Sequence, residues 1–406
     1  MKYYLKITSA LLAILFLGSC QKDSDTDDAP EPAESNTQEW YQIVKIDTLS
    51  SADLTQSIAG ISIGLGTDIV RTSFLYHSKA DTATLTLSGC VCWPIEISTC
   101  STIWLENHYT SSRWNECPSQ TPMPGMFVSS SLFLRAIYIG PDYQGLGLSR
   151  NLPQPYFNTL LLADQSIDCF KAALSIVKEY GPELSANYST YNLGYSLGGA
   201  VSLGVARRVE LDPEVKKIMH LKKSYCGAGP YDQVTMMDRF LSQPDQALDL
   251  AVSFPFAIKS ILFTNPSLSA RYSESDFFTQ GLLNSGILEK MDTRDYTTGQ
   301  LNGMLYDSGF NTPNTILSAD ILQDGTPLAI EFRQELGKLN LTTGWTPTIP
   351  IVFFHSEADN VVPIECLNCV KTNMADNPNI TYKVVETGEH GNAGVSFYLG
   401  VIQGAF

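Results

Sequence analysis

The chain has 406 residues, 44% of them hydrophobic and 17% charged, with 26 Lys and Arg against 42 Asp and Glu for a formal net charge of -16. A chain of that size and composition buries a large core. The acidic excess excludes a nucleic-acid backbone as a partner: such binding is driven by Lys and Arg neutralising phosphate, and no basic run or RNA-binding signature offsets the deficit.

Lys2 and Lys6 give a positive start, and Leu11 to Leu17 is an apolar run too short for a stable bilayer span. That is the pattern of a signal peptide over residues 1–19. The segment closes with Leu17-Gly18-Ser19-Cys20, which resembles the lipobox of bacterial lipoproteins. The resemblance implies that Cys20 is lipidated and becomes the mature N-terminus, anchoring the exported protein to the bacterial outer membrane. Residues 20–39 hold one Lys, seven acids and two prolines, so a self-repelling disordered tether is expected there. Within it, Gln21-Lys22-Asp23 is similar to the surface-export signal of some Gram-negative lineages, which implies exposure outside the cell. Asp23, Asp25, Asp27 and Glu34 mimic the spacing of a calcium loop, but Asp28 stands where that loop turns on glycine, so this is read as a charged spacer.

From Trp40 onward, strand-like and helical patterns alternate. Asp68–Tyr76 and Thr82–Pro94 read as strands, as does Ser101–His108. Gly125–Leu134 reads as a helix, Arg135–Asp142 as a strand, Leu161–Tyr180 as a helix and Thr190–Tyr195 as a strand. Helix Gly198–Val209 and strand Lys222–Gly227 follow. Strand Ile349–His355, helix Ile364–Met374, strand Thr381–Glu386 and helix Ala393–Ile402 close the chain. Apolar strands alternating with helices predict an α/β fold with a mostly parallel sheet covered on both faces. Between the last two groups, residues 231–344 carry Phe- and Leu-rich helical stretches without comparable strands. That length is too great for a structureless loop, so an inserted helical cap or lid is expected, leaving 40–230 and 345–406 as the core.

Eight cysteines follow Cys20: Cys90, Cys92, Cys100, Cys117, Cys169, Cys226, Cys366 and Cys369. Export permits disulfides, local pairing is expected first within 90–117, and the full pairing stays open. Cys366-Leu367-Asn368-Cys369 lacks a second metal-spaced pair and is read as structural.

Gly194-Tyr195-Ser196-Leu197-Gly198 matches G-x-S-x-G, a serine on a tight strand-to-helix turn. A second match, Gly60 to Gly64 around Ser62, lacks the strand before and the helix after, and is read as a glycine-rich turn. Ser196 has both, which makes it the candidate nucleophile. A serine nucleophile needs a base. Of five histidines, His77 and His108 come too early in the chain, His220 falls in or just after the elbow helix, and His355 ends a strand. His390 follows the last strand in a loop able to return over the sheet edge, and is the candidate base. The acid is expected after the penultimate strand, at Asp359 or, as runner-up, Glu357; it holds the imidazole tautomer and stabilises the imidazolium. An oxyanion hole would combine the Leu197 N–H with a donor from Tyr109 or Thr110.

With these residues in place, the stretch from about Thr82 to Ile402 resembles an α/β-hydrolase of the secretory lipase branch. The resemblance rests on His108-Tyr109-Thr110, Cys117-Pro118-Ser119, Pro141-Asp142-Tyr143-Gln144-Gly145-Leu146-Gly147, the elbow Gly194 to Gly199 and the helical insertion; Tyr109 departs from the family's glycine. It implies an ester hydrolase of the lipase or esterase type that works through an acyl-enzyme and needs no metal or organic cofactor. Its partner would be a small-molecule, glycan or lipid ester. A serine peptidase and an acetyl or feruloyl esterase acting on carbohydrate are the enzymatic alternatives; a catalytically silent binding lipoprotein is the non-enzymatic one.

Overall fold

The computed structural model describes residues 40–52, 56–58, 61–63, 67–80, 83–121 and 135–406. The signal peptide, the tether, Cys20 and the expected helix Gly125–Leu134 lie outside the described residues.

Eleven strands are described in chain order: β1 Tyr41–Leu49, β2 Gln56–Ile58, β3 Ile61–Ile63, β4 Ile69–Ala80, β5 Ala83–Pro94, β6 Thr99–Asn107, β7 Ile137–Pro141, β8 Glu183–Tyr195, β9 Leu221–Gly227, β10 Ile351–Ser356 and β11 Ile380–Val385. Nine of them form one sheet in the order β1-β4-β5-β7-β6-β8-β9-β10-β11. From β7 to β11 every pairing is parallel, whereas β1, β4 and β5 join antiparallel at one edge. The central strands explain themselves chemically. β7 and β10 are buried along their whole length, as expected where helices cover both faces of a parallel sheet.

Side chains alternate between the two faces. Ile103, Leu105, Ile351 and Phe353 pack into the cluster that receives helix Thr159–Tyr180 and helix Leu197–Leu211. Trp104, Val352 and Phe354 pack with helix His390–Ile402 on the other side. The anchor of that last helix is Phe397, whose ring lies 5.6 Å from Tyr195, 5.8 Å from Phe354 and 5.2 Å from Tyr398. Truncating a buried phenylalanine of this kind costs roughly 3–5 kcal/mol, so the helix that begins with His390 is held firmly against the sheet.

Between β9 and β10 the chain forms ten helices, from Gln233–Leu241 to Pro327–Gly337. Many are single turns, and their caps account for them. Asp232 accepts from the N–H groups of Val234 and Thr235, and Ser273, Thr297 and Thr312 each close a capping box. The rings of the insertion pack largely on one another: Phe240 on Phe254 at 5.8 Å, Phe277 on Phe332 at 5.2 Å. Both ends of the insertion meet, since Leu341 donates its N–H to the Tyr231 carbonyl at 3.0 Å.

Two expectations are corrected, and one strand was missed. Ser62 lies in strand β3, opposite Ser57 of β2, and not in a turn. All eight described cysteines are free, so the 90–117 cluster forms no local disulfide; Cys90 and Cys92 sit buried two residues apart in one strand, and Cys100 and Cys117 donate to backbone carbonyls. Strand β1 was not foreseen. Its residues are half-buried or exposed, as suits an edge strand, and its alternation is blurred by Lys45 and Asp47. Among the described residues no helix is long and apolar enough to cross a membrane.

Candidate active site

Ser196 stands between the end of β8 and helix Leu197–Leu211, in the strained conformation φ 59°, ψ −127°. The turn holds because its neighbours have no side chain. A Cβ on Gly194 would stand 2.3 Å from the Gly198 carbonyl oxygen, and one on Gly198 would stand 2.0 Å from the Asn107 carbonyl oxygen. Real Cβ atoms do not approach backbone so closely. Positive φ at a non-glycine residue costs energy that the surroundings must supply. Here the Ser196 N–H is pinned to the Gly227 carbonyl at 2.9 Å. The Leu197 N–H heads the helix, where it has no intrahelical acceptor and the helix dipole favours negative charge.

His390 Nδ1 lies 2.7 Å from Asp359 Oδ2, and the Asp359 carboxylate is fully buried. A carboxylate only accepts, so Nδ1 carries the proton and Nε2 keeps its lone pair. The other Asp359 oxygen accepts the N–H groups of Val361 and Val362 at 3.0 and 2.8 Å. Burial works to raise the Asp359 carboxyl, but the hydrogen bond and charge of His390, with the backbone donors, outweigh it and hold the group below the usual carboxylate range. Glu357 is exposed and forms no such contact. His390 is fixed at three further points. Its N–H donates to Asn360 Oδ1 at 3.0 Å, its carbonyl accepts from the Tyr195 hydroxyl at 2.7 Å, and its ring packs on the Tyr195 ring at 4.9 Å. Tyr195, the residue before Ser196, therefore ties His390 to the elbow; among the described residues no direct hydrogen bond links Ser196 Oγ to His390. Catalytic hydrogen bonds often close only when substrate is bound.

The loop after β6 is held from several sides. Asn107 donates from Nδ2 to Asn192 Oδ1 at 2.8 Å and to Ser202 Oγ at 3.0 Å, beneath the elbow. The two His108 ring nitrogens face the carbonyls of Tyr109 at 2.6 Å and Asp142 at 3.1 Å. Burial pushes this imidazole below its ordinary value against the pull of those carbonyls. Tyr143 packs on the His108 ring at 4.0 Å, and Thr110 Oγ1 meets the Tyr156 hydroxyl at 3.1 Å. The Tyr109 side chain is exposed.

The Pro141–Gly147 motif has an evident task. Asp142, fully buried, accepts from Ser88 Oγ at 2.6 Å, Ser119 Oγ at 2.5 Å and Ser119 N–H at 2.8 Å. It thereby ties the Cys117-Pro118-Ser119 segment to the sheet. Gly147, at φ 56°, leaves room for it; a Cβ there would fall 2.3 Å from Asp142 Oδ2.

A cleft of about 150 Å³ beside Asp359 is lined by Arg239, Gln243, Gln246, Asp249 and Asn360 together with Phe240, Ala247, Leu248 and Pro363. An apolar space of about 10 Å³ lies among Phe157, Met236, Met237, Phe240 and Phe254. The insertion is also stitched to the loop after β6: Ser112 Oγ donates to the Tyr296 carbonyl and the Trp114 N–H to the Arg294 carbonyl, both at 2.8 Å.

No family model matches the sequence, and no curated protein matches it. Solved structures do. The rice cell wall degrading esterase LipA from Xanthomonas oryzae is 19% identical with a TM-score of 0.72, over 89% of this chain and 95% of its own. A candidate hydrolase from Legionella pneumophila gives 16% identity and a TM-score of 0.73, over 89% of this chain and 96% of that one. Candida antarctica lipase A gives 14% and 0.59, over 86% of this chain and 77% of that one. With its parallel sheet, its elbow and these neighbours, the chain has the α/β-hydrolase fold.

Proposed function

We propose that this protein is a serine hydrolase that cleaves carboxylic esters through an acyl-enzyme, with Ser196 as nucleophile, His390 as base and Asp359 as its orienting acid. The observation that carries the proposal is the buried 2.7 Å contact between Asp359 and His390, whose ring packs on Tyr195, the residue before a serine in a strained elbow. Ser196 Oγ attacks the ester carbonyl carbon while His390 Nε2 takes its proton. The charge that forms on the carbonyl oxygen is met by the Leu197 N–H and by a backbone donor of the Tyr109-Thr110 loop. The intermediate collapses, the alcohol leaves with the proton from His390, and water activated at the same nitrogen releases the acid. Asp359, held by two backbone donors, keeps its charge through the cycle.

A short acyl group on a polar alcohol is favoured over a long lipid tail, because the cleft of about 150 Å³ beside Asp359 is lined mainly by amides and charged groups. That is in line with the carbohydrate esterase reading, and with a neighbour that is a cell wall degrading esterase. We also propose that residues 231–344 act as the cap over this site, and that the lipobox-like leader places the enzyme on the outer membrane through Cys20.

The test is hydrolysis of nitrophenyl esters from acetate to laurate, beside Ser196→Ala. Turnover that prefers acetate and vanishes in a folded Ser196→Ala is expected. A preference for laurate overturns the short-acyl reading, and turnover unchanged by Ser196→Ala overturns the nucleophile. Absence of any turnover on esters moves the reading to peptides or to a binding role.

A further inference from the structure

A second imidazole stands behind the acid. His355, the penultimate residue of β10, is fully buried, and its Nε2 lies 2.9 Å from the Val362 carbonyl oxygen and 3.8 Å from Asp359 Oδ2. A carbonyl only accepts, so Nε2 carries the proton and Nδ1 keeps a lone pair, for which the described residues offer no donor. The ring makes its hydrogen bond through its other nitrogen, Nε2. The Nε2–H closes the turn from Asp359 to Val362, whose two N–H groups grip Asp359 Oδ1. Asp359 Oδ2, the atom that holds His390 at 2.7 Å, is the same oxygen that His355 approaches.

We infer that His355 is a positioning residue acting through Asp359: it clamps the acid-bearing turn and presents an N–H dipole to the carboxylate oxygen that orients His390. The inference rests on the triad proposed above. The ionisable groups facing His355 are Asp359 on its own turn, His390 on the last helix and Glu365 at the start of the helix that follows the turn; burial keeps His355 neutral against the pull of the carboxylates. A neutral ring is what the geometry needs, since an N–H dipole supports the Asp359 charge whereas a full positive charge would compete with His390 for it.

The test compares His355→Phe, which keeps a ring and loses the donor, with His355→Gln, whose amide nitrogen reaches the place of Nε2, and His355→Asn, whose amide stops short of it. Two readouts are taken: kcat and KM for a nitrophenyl ester across pH, and the low-field proton resonance of His390 Nδ1–H, assigned by its loss in His390→Ala. In folded His355→Phe, kcat falls about 10- to 100-fold with KM little changed, as for a misplaced catalytic group. The acid limb of kcat moves to lower pH, because the imidazolium formed on attack has lost a held counter-charge, and the low-field resonance broadens or disappears. His355→Gln restores both readouts, and His355→Asn does not. Kcat within about twofold of the parent together with an unchanged resonance in folded His355→Phe overturns the inference. Should His355→Phe not fold, the Gln and Asn variants decide it: equal behaviour of the two overturns the positioning role. If the parent shows no Ser196-dependent turnover, the esterase reading fails by itself, and the His390 resonance in the variants still decides the role of His355.

Discussion

Replacing Asp142 by Ala tests whether the Pro141–Gly147 motif is a structural hub that holds the oxyanion loop. The carboxylate accepts three buried hydrogen bonds, from Ser88 Oγ, Ser119 Oγ and Ser119 N–H, at 2.5–2.8 Å. The amide cannot turn elsewhere, and leaving it unpaired costs about 1–3 kcal/mol. The hydroxyls can rotate to other acceptors, so each contributes about 0.5–1.5 kcal/mol. The sum is about 2–6 kcal/mol, a large share of a domain's stability. Because His108 Nε2 faces the Asp142 carbonyl, the loss should also loosen the loop that carries Tyr109 and Thr110. The assay is urea unfolding of Asp142→Ala, Ser119→Ala and the double variant, with ester turnover measured in parallel. A coupling energy of about 1.5–3 kcal/mol between the two residues is expected for a hydrogen bond to a charged group. Coupling below about 0.5 kcal/mol would refute the hub, since independent sites add within that margin.

Acid should destabilise the fold well above the carboxylate range. His108 and His355 both titrate below their ordinary 6.5 when folded, because burial disfavours the cation. A depressed folded value gives stability that is present above the unfolded value and lost as pH falls through the folded one. Each of the two groups then removes up to about 1.4 kcal/mol per pH unit below about pH 6.5, and Asp359 adds its loss only below about 3.8. Urea midpoints measured from pH 7 to 4.5 check this, with a shallower slope expected in His355→Gln; a flat profile to pH 5 contradicts it. Two glycines offer a matched pair for the elbow. Gly198→Ala puts a Cβ 2.0 Å from a backbone carbonyl and should abolish turnover and lower stability by at least ~1–3 kcal/mol. Gly303→Ala, inside helix Thr298–Asp307 with nothing within 4 Å, should stabilise by about 0.5–1 kcal/mol, read as a rise in thermal midpoint.

Much of this architecture was legible in the sequence because local and global signals agree. Strands β7 and β10 are nearly continuous apolar runs, and Gly194-Tyr195-Ser196-Leu197-Gly198 states a backbone requirement as well as a candidate nucleophile. Chain order selected His390, the turn before Val361-Val362-Pro363 favoured Asp359 over Glu357, and the folded chain brings His390 and Asp359 within a hydrogen bond. What stayed hidden is carried by contacts between distant residues. The Tyr195 hydroxyl reaches a carbonyl 195 positions away, and Asn360 gives no local sign that it caps the His390 amide. His355 was set aside as a base because it ends a strand with no acid-bearing loop between Ser196 and it, and its position against Asp359 emerges only from the fold of the turn. The cysteines misled for a related reason: their clustering at 90–117 reflects burial as small apolar side chains in strands and loops, a use of cysteine that spacing does not distinguish from pairing.

The hydrogen bond from Leu341 to Tyr231 has a consequence for how such a protein diversifies. Where a long segment leaves and re-enters a scaffold at neighbouring points, its length and internal arrangement can change without rerouting the strands on either side. The helices between β9 and β10 form such a cassette. Duplication, trimming or exchange of that stretch would alter what the cleft admits while Ser196 after β8, Asp359 after β10 and His390 at the head of the last helix keep their mutual places.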